Sequence, residues 1–429
     1  MKKESDTSMS TLSQTTSQTM TMNTSNLSQF STAKPNEAAV MQEKQCNLNF
    51  RPVVNGLMAN PGADMIRYAR SKPNMIWLGQ GEGDTPTPDF IVNATVKAME
   101  DGLMFYGPAL GSPFLRKALS EYYTRIYQHD VPESRIFVTQ SGSNAMHIAL
   151  SSLLDKGDEV VAVTPIWKNL LGAIALMQAN TVEVSMDCDE NGAWSLDLDK
   201  LFSTVSEKTR VMLIVSPSNP TGWMATHEEI RAIIEFARAR GIWIIADEVY
   251  SRLVYEGVRA PSFLDVAQPE DRILIVNSFS KTWAMTGWRL GWIVGPLEAE
   301  DKIRDVALYN NLCPQPFTQR GAIAALEQGE DFIASQISLW RSNRSLVKQR
   351  LEATGRVRFN EPPSTFYGFF KVDGEPDCIA LTKRIIDEAE VLLSPGCAFG
   401  KSCHGFVRMC FAVSEARLNE ALDRIERIL

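Results

Sequence analysis

The sequence predicts an α/β fold in which helices flank a mostly parallel sheet, together with a smaller α+β domain. Between about residues 90 and 300, short β-branched runs alternate with helical stretches, which is typical of a parallel sheet with helical crossovers. After about residue 310, a long helical stretch is followed by mixed strand and helix patterns. Polar or glycine-rich clusters follow the candidate strands of the first region, and parallel sheets bind ligands at that edge.

The candidate strands of the parallel sheet are short and apolar. They cover residues 136–139, 159–163, 211–215, 242–246 and 273–276. The helix before the fourth strand has the clearest limits, because Thr226 and Glu229 form a capping-box pattern and Gly241 follows its last turn. In the C-terminal region we predict strands at 366–372 and 407–411, and helices at 381–389 and 415–429.

The first 45 residues differ from the rest of the chain. Half of residues 1–32 are Ser or Thr, and so polar a segment cannot bury enough apolar surface to offset its ordering entropy. We therefore expect a disordered tail over residues 1–45, and the lack of an apolar core or an early arginine argues against a signal or transit peptide. We assign residues 46–90 to the start of the small domain, 91–309 to the large, ligand-binding domain and 310–429 to the rest of the small domain.

Charge and composition exclude several classes of protein. The 51 acidic and 43 basic residues give a net charge of −8, which disfavours a nucleic-acid partner. No apolar run approaches the length of a membrane span. The seven cysteines form no CxxC pair and the four histidines no metal-ligand spacing, so we expect reduced thiols in a cytoplasmic protein and no metal.

The chemistry-bearing residues lie just after the candidate strands. In chain order they are Ser141, Gly142, Ser143 and Asn144; Trp167; Asn219; Asp247 and Tyr250; and Ser278, Ser280 and Lys281. A Ser-Gly-Ser helix start suits a phosphate, and Asp247 leaves the core where an unpaired charge needs a cation such as a protonated ring nitrogen. Lys281 is a candidate amine nucleophile. Each residue alone also fits an ordinary helix cap, core side chain, turn or surface lysine, so the combination indicates the site.

The segment from Ser278 to Arg289, Ser-Phe-Ser-Lys-Thr-Trp-Ala-Met-Thr-Gly-Trp-Arg, resembles the lysine signature of the class I/II aminotransferases. These are pyridoxal-phosphate enzymes of fold type I. Asn219-Pro-Thr-Gly222, Asp247-Glu-Val-Tyr250 and Phe406-Val-Arg408 follow in the family's order, and the resemblance runs from about Leu78 to the C-terminus. It implies a large domain with a mostly parallel sheet and a smaller α+β domain.

The resemblance also implies a role for each site residue. Lys281 would bind the cofactor covalently and later move the substrate proton, Asp247 would keep the ring nitrogen protonated, and Trp167 would stack on the ring. Asn219 and Tyr250 would bind the phenolic oxygen. The phosphate ligands would be Ser141, Gly142, Ser143, Asn144, Ser278, Ser280 and Arg289, with Tyr106 reaching the neighbouring subunit's phosphate in a homodimer. Arg408 and Gly81 would hold the substrate α-carboxylate, beside Trp167 and Asn219.

The expected activity is transfer of an amino group from an L-amino acid to a 2-oxo acid by a ping-pong mechanism. A β- or γ-lyase, or other Cα chemistry on the same scaffold, is the alternative that the cofactor motifs leave open. A transcription regulator with an aminotransferase-like domain would need a DNA-binding module before residue 78, which the sequence does not suggest. Two departures from the family pattern lie near the substrate entrance: Glu82-Gly83-Asp84 in place of Glu-Pro-Asp, and Ser364-Thr365 where glycine is usual.

Overall fold

The structure is a computed structural model that describes residues 50–429, so the predicted tail at residues 1–45 lies outside the described residues. The strands are β1 (Ile76–Trp77), β2 (Ile136–Thr139), β3 (Glu159–Thr164), β4 (Asn180–Ser185), β5 (Asp187–Cys188), β6 (Trp194–Ser195), β7 (Thr209–Val215), β8 (Trp243–Asp247), β9 (Ile273–Ser278), β10 (Gly291–Val294), β11 (Tyr367–Lys371), β12 (Val391–Leu392), β13 (Ser394–Pro395) and β14 (Phe406–Cys410). The α-helices are α1 (Pro52–Asn55), α2 (Pro61–Ala69), α3 (Asp89–Glu100), α4 (Pro113–Tyr122), α5 (Gly142–Leu153), α6 (Lys168–Leu176), α7 (Leu198–Thr204), α8 (His227–Arg240), α9 (Phe279–Thr282), α10 (Glu300–Asn311), α11 (Pro316–Gln328), α12 (Glu330–Ala353), α13 (Cys378–Arg384) and α14 (Glu415–Glu426).

A seven-stranded sheet with the order β2-β10-β9-β8-β7-β3-β4 organises the larger part of the fold. The pairs from β9 through β4 are parallel, whereas β10 is antiparallel to both of its neighbours. The predicted α/β class and all five predicted strands are confirmed. The sequence analysis missed β10, which lies directly after the lysine motif, and the more exposed edge strand β4.

Alternate side chains of the central strands enter two different cores. On β7, Val211 and Leu213 pack in the core that contains α5 and α6, while Met212 and Ile214 pack in the core that contains α4 and α8. A strand covered on both faces is apolar throughout, which explains the continuous apolar runs in the sequence. The predicted capping box of α8 is present, and Gly241 ends that helix with φ of +66°.

The second part of the fold is built on the three-stranded sheet β11-β14-β13, which is antiparallel at both pairings. Ile76 and Leu78 share its core with residues of α12 and α14, and β1 pairs in parallel with β12. Helix α11, in contrast, packs in the core of the large sheet through Ala322 and its neighbours. The domain boundaries at residues 90/91 and 309/310 stay predictions.

Two predicted C-terminal helices have different ends in the structure. The helix predicted at 381–389 consists of α13 and a π-helical turn at Ile385–Ala389, and α14 ends at Glu426. None of the helices in residues 50–429 is long and apolar enough to cross a membrane.

Candidate active site

A cleft of about 320 Å³ opens where β7, β8 and β9 end. The sequence-predicted residues that line it are Gly81, Gly142, Ser143, Trp167, Asn219, Asp247, Tyr250, Ser278, Ser280, Lys281, Arg289 and Arg408. Leu170, Val215, Val249, Thr286 and Tyr367 also line it and were not predicted. Of the remaining predicted site residues, Ser141 and Asn144 lie at the start of α5 behind this lining, and Tyr106 lies away from it.

Lys281 lies on α9, the single helical turn that directly follows β9. Its Nζ donates a hydrogen bond of 2.6 Å to the carbonyl oxygen of Gly81. Burial lowers the pKa of the amine to about 8, and the positive charges of Arg408 and Arg289 act in the same direction. A lysine in this state is partly neutral near pH 8 and can therefore attack a carbonyl carbon.

Asp247 is the last residue of β8 and is 9% exposed. Within the described chain its Oδ1 accepts a hydrogen bond of 3.1 Å from the N–H of Val249. Burial raises the pKa of this carboxyl to about 6. A carboxylate in this position gains most from a cationic partner, and a protonated ring nitrogen is a partner of suitable size and charge.

The start of α5 provides a cradle for an anion. Ser141 caps this helix, with its Oγ accepting from the N–H of Asn144 at 3.1 Å, and the free N–H groups of the first turn carry the positive end of the helix dipole. A Cβ at Gly142 would lie 3.2 Å from that of Ser278, so these two elements approach closely. The exposed Arg289 lines the same end of the cleft, with one guanidinium nitrogen bonded to the Thr286 carbonyl at 2.7 Å.

The side chain of Asn144 is engaged away from the cleft. Its amide donates to Asn310 at 2.7 Å and accepts from Asn311 at 2.9 Å. Ser141 is buried and acts through its cap on α5. The geometry therefore gives both residues a supporting position at the cradle, while Gly142 and Ser143 form its surface.

Arg408 on β14 is buried and fixed by two hydrogen bonds. Its Nη1 donates to the side-chain oxygen of Asn219 and its Nη2 to the carbonyl of Gly79, each at 2.7 Å. The guanidinium carbon lies 4.3 Å from the ring centre of Tyr367 and 4.8 Å from that of Phe399. An arginine fixed in this way presents a planar fork, which matches a carboxylate.

Tyr367 and Phe399 are functional neighbours that sequence reasoning missed. The hydroxyls of Tyr367 and Tyr250 form a buried hydrogen bond of 2.8 Å, and burial raises the pKa of Tyr367 to about 12. A Cβ at Gly81 would lie 2.4 Å from the Tyr367 hydroxyl, so this glycine makes room for the tyrosine pair. The sequence signal for Tyr367 was the aromatic start of the predicted strand at 366–372. The register that pairs Tyr367 with Cys410, two residues from Arg408, is not visible in the sequence.

Tyr106 is 86% exposed, and the neighbouring Phe105 is 83% exposed. Large aromatic side chains side by side in solvent are unusual on a single chain and are typical of a contact surface. The predicted contact of Tyr106 with a neighbouring subunit stays a prediction.

The residues present fit pyridoxal phosphate. The cleft combines a carbonyl-reactive amine, a buried carboxylate that forms no ion pair within residues 50–429, an anion cradle with an arginine in the same lining, and a second arginine fixed for a carboxylate. Together these groups define an enzyme that acts on amino acids with a phosphorylated, ring-nitrogen-containing aldehyde as cofactor.

Comparison with known proteins agrees with this definition. Residues 73–425 match the family "Aminotransferase class I and II". The aspartate aminotransferase of Thermotoga maritima is 35% identical over 358 residues, covering 83% of this chain and 92% of that protein. Aromatic-amino-acid aminotransferase 2 of Thermococcus litoralis is 32% identical, covering 87% of this chain and 96% of that protein. The crystal structure of an aspartate aminotransferase from Thermotoga maritima superimposes with a TM-score of 0.82 at 32% identity, covering 88% of this chain and 99% of the other.

The chain belongs to the class I and II aminotransferases. It has the fold type I architecture and is a pyridoxal-phosphate-dependent transaminase that moves an amino group from an L-amino acid to a 2-oxo acid in two half-reactions. The predicted family, fold, activity and cofactor are thereby confirmed.

Proposed function

We propose that Lys281, Asp247 and Tyr250 carry out the chemistry of this transaminase and that Arg408 binds the α-carboxylate of both substrates. The observation that supports this assignment best is the state of Lys281: a partly buried amine with a lowered pKa that lines the same cleft as Asp247 and Arg408. Proton transfer at Cα needs a base of this kind close to a fixed carboxylate site.

When bound, pyridoxal phosphate supplies an aldehyde that exchanges between amines and a ring that stabilises negative charge at Cα. The neutral Nζ of Lys281 would accept the proton from Cα and deliver it, on the same face, to C4′, the former aldehyde carbon of the cofactor. Asp247 keeps a proton on the ring nitrogen, and the hydroxyl of Tyr250, supported by Tyr367, donates to the phenolic oxygen. Arg408 orients the substrate so that its Cα–H faces the lysine.

The other cleft residues bind and shield the cofactor. Gly142 and Ser143 offer backbone N–H groups to the phosphate, with the hydroxyls of Ser278 and Ser280 and the fork of Arg289 completing its charge balance. Trp167 covers the ring and excludes water. Asn219 uses its carbonyl oxygen for Arg408, which leaves its amide nitrogen to donate to the phenolic oxygen, and Gly81 borders the carboxylate site.

Replacement of Lys281 by alanine tests the assignment. Lys281→Ala should abolish multiple-turnover amino transfer, because no other amine replaces the base, while the folded protein still binds the cofactor noncovalently. The matched control Lys302→Ala removes an exposed lysine of α10 and should turn over at the wild-type rate. Amino transfer by Lys281→Ala at the wild-type rate would contradict the assignment.

We also propose a homodimer in which Tyr106 of each chain binds the phosphate in the other chain's cleft. Its support is the exposure of Tyr106 and Phe105, together with the 62% exposure of Met104 on the same segment. Sedimentation or light scattering of the holoenzyme gives the oligomeric state directly.

For the amino donor we propose an acidic or aromatic L-amino acid, since the curated relatives include aspartate and aromatic-amino-acid aminotransferases. A panel of donors with 2-oxoglutarate and pyruvate, followed by the cofactor absorbance in single turnovers, separates the two groups. A cytoplasmic location is part of the same proposal, supported by the free state of the six cysteines that the structure describes.

A further inference from the structure

Two cysteines outside the cleft lie against each other. Cys378 begins α13 and is fully buried, and Cys397 lies half-buried in the turn Gly396–Ala398. The N–H of Cys397 donates to the sulfur of Cys378 at 3.5 Å, which places the two residues side by side.

The surroundings of the pair favour a shared thiolate. The hydrogen bond from the Cys397 thiol lowers the pKa of Cys378 to about 6, with the N–H groups of Cys397 and Gly405 and the nearby charge of His404 acting in the same direction. The pKa of Cys397 is raised because it holds the shared proton. Burial raises the pKa of Cys188, Cys403 and Cys410 instead, so those thiols stay protonated and poorly reactive.

The turn that carries Cys397 is connected to both walls of the cleft. Ser394 and Pro395, just before it, pair with Arg408 and Val407 on β14. Phe399, just after it, packs on the guanidinium of Arg408, and its carbonyl accepts from the N–H of Ile166 at 2.8 Å, next to Trp167. The turn is tightly packed, because a Cβ at Gly396 would lie only 2.3 Å from the Cys403 carbonyl oxygen. A displacement of Cys397 is therefore transmitted to Phe399 and Arg408.

We propose that Cys378 and Cys397 form a redox-active pair that a hydroperoxide converts to a disulfide, and that this disulfide weakens substrate binding at Arg408. In the form in which Cys378 holds the shared proton, the more exposed Cys397 is the thiolate and attacks the terminal peroxide oxygen. The O–O bond breaks, which leaves a sulfenic acid on Cys397 and releases the alkoxide, or hydroxide when the oxidant is hydrogen peroxide. The Cys378 thiol then attacks the Cys397 sulfur, which forms the S–S bond and releases water. Two thiol groups lose two electrons, and one peroxide is reduced. The effect on substrate rests on the proposed role of Arg408, whereas bond formation does not.

The bond is tested on the full-length holoenzyme treated with hydrogen peroxide and digested without reduction. We expect a peptide pair linking Cys378 to Cys397, lost in Cys397→Ser and retained in the matched control Cys188→Ser, which removes another half-buried thiol. Absence of the linked pair, linkage of either residue to Cys403, or oxidation of both to unlinked acids would overturn the proposal.

The effect on substrate is tested by kinetics before and after peroxide, with the cofactor absorbance recorded to show that the site stays loaded. We expect the KM for amino donor to rise severalfold with kcat nearly unchanged, to recover with dithiothreitol, and to be insensitive to peroxide in Cys397→Ser. A linked pair with unchanged KM overturns the second half of the proposal alone. If the donor panel shows no transamination at all, the proposed function fails, while the peptide map still decides the bond.

Discussion

At the scale of single residues, the adjacent acids Asp247 and Glu248 have similar side chains but different surroundings, and we expect different roles for them. Both are buried, and burial raises the pKa of Asp247 to about 6 and that of Glu248 to about 7. Glu248, however, accepts hydrogen bonds from the Ser262 hydroxyl and the N–H of Phe263, so its carboxyl is satisfied away from the cleft. Asp247 alone faces the cleft and lacks a comparable set of donors.

This difference predicts opposite results for two conservative changes. Asp247→Asn should lower kcat by roughly 100-fold or more with the cofactor still bound, because a neutral amide no longer holds the ring nitrogen protonated. The control Glu248→Gln should keep most of the activity and lower the melting temperature. Steady-state kinetics and thermal denaturation measure both; an active Asp247→Asn holoenzyme would contradict the role given to this carboxylate.

The lowered pKa of Lys281 makes a prediction about pH. Nζ attacks only when neutral, so the rate at which apoenzyme captures pyridoxal phosphate should rise with pH and level off above about 8. At pH 7 the neutral fraction is about 10%, against about 0.04% for a lysine with an ordinary pKa near 10.4. Stopped-flow absorbance across the pH range checks this, with N-acetyl-lysine as control. A midpoint near 10 for the protein would show that burial does not tune the amine.

At the scale of elements, the segment before β11 explains one departure from the family pattern. Thr365, where the family usually has glycine, has φ of +63° and is fully buried. Its backbone is held by the Leu253 carbonyl and by the Tyr255 hydroxyl, both at 2.7 Å. Its own hydroxyl has no hydrogen-bond partner among the described residues. A β-branched residue is strained in this region of backbone space, so the surrounding contacts must maintain it.

The strain predicts an inverted order of stability for two substitutions. A glycine variant is normally less stable than an alanine variant, but Thr365→Gly should be more stable than Thr365→Ala by about 1 kcal/mol. Both changes remove the hydroxyl and methyl groups, and only glycine, which also lacks Cβ, relieves the left-handed backbone. Melting temperatures of the two holoenzymes measure the order. The pair Thr209→Gly and Thr209→Ala on β7 is the control and should show the usual order; the usual order at both sites would mean that Thr365 is not strained.

The other departure has a simpler cause. A Cβ at Gly83 would lie 2.4 Å from the carbonyl oxygen of Ala412, so the chain at this point leaves no space for the usual proline. The resemblance to the family identified these two positions as unusual, but the tertiary neighbours that explain them lie far away in sequence. The apolar strands and the capped helix α8 were predicted because a short-range sequence pattern defines each of them. β10 and Tyr367 were missed because their pairing partners are set by the whole sheet and not by neighbouring residues in the chain.

At the scale of the whole molecule, the proposed dimer makes each site depend on two chains. Tyr106→Ala should weaken cofactor binding by roughly 10- to 100-fold, the cost of one hydrogen bond to a charged group. Tyr106→Ala chains are then co-expressed with Lys281→Ala chains. Half of the dimers should be hybrids, in which one chain supplies Lys281 and the other supplies Tyr106 to the same site. At limiting cofactor about a quarter of all sites should therefore behave as wild-type sites.

The matched control places both changes on one chain. Tyr106→Ala co-expressed with the double variant Tyr106→Ala/Lys281→Ala should restore nothing, since no chain then offers Tyr106 to a neighbour. Cofactor titration and initial rates on the mixtures give the result. Activity in the control mixture, or no activity in the test mixture at limiting cofactor, would contradict the shared site. Tyr106 would then act within its own chain or have no role in cofactor binding.

The parallel pair of β1 and β12 also affects how the protein is made. Ile76 pairs with Val391, so β1 can pair only after a strand more than 300 residues later in the chain has been synthesised. During synthesis the large sheet, complete at Val294, can close early, and such non-local pairing forms late. The cofactor pocket and the carboxylate-binding arginine are thus assembled at different times, and a chain released before its last strands should hold the cradle for phosphate without the site that recognises an amino acid.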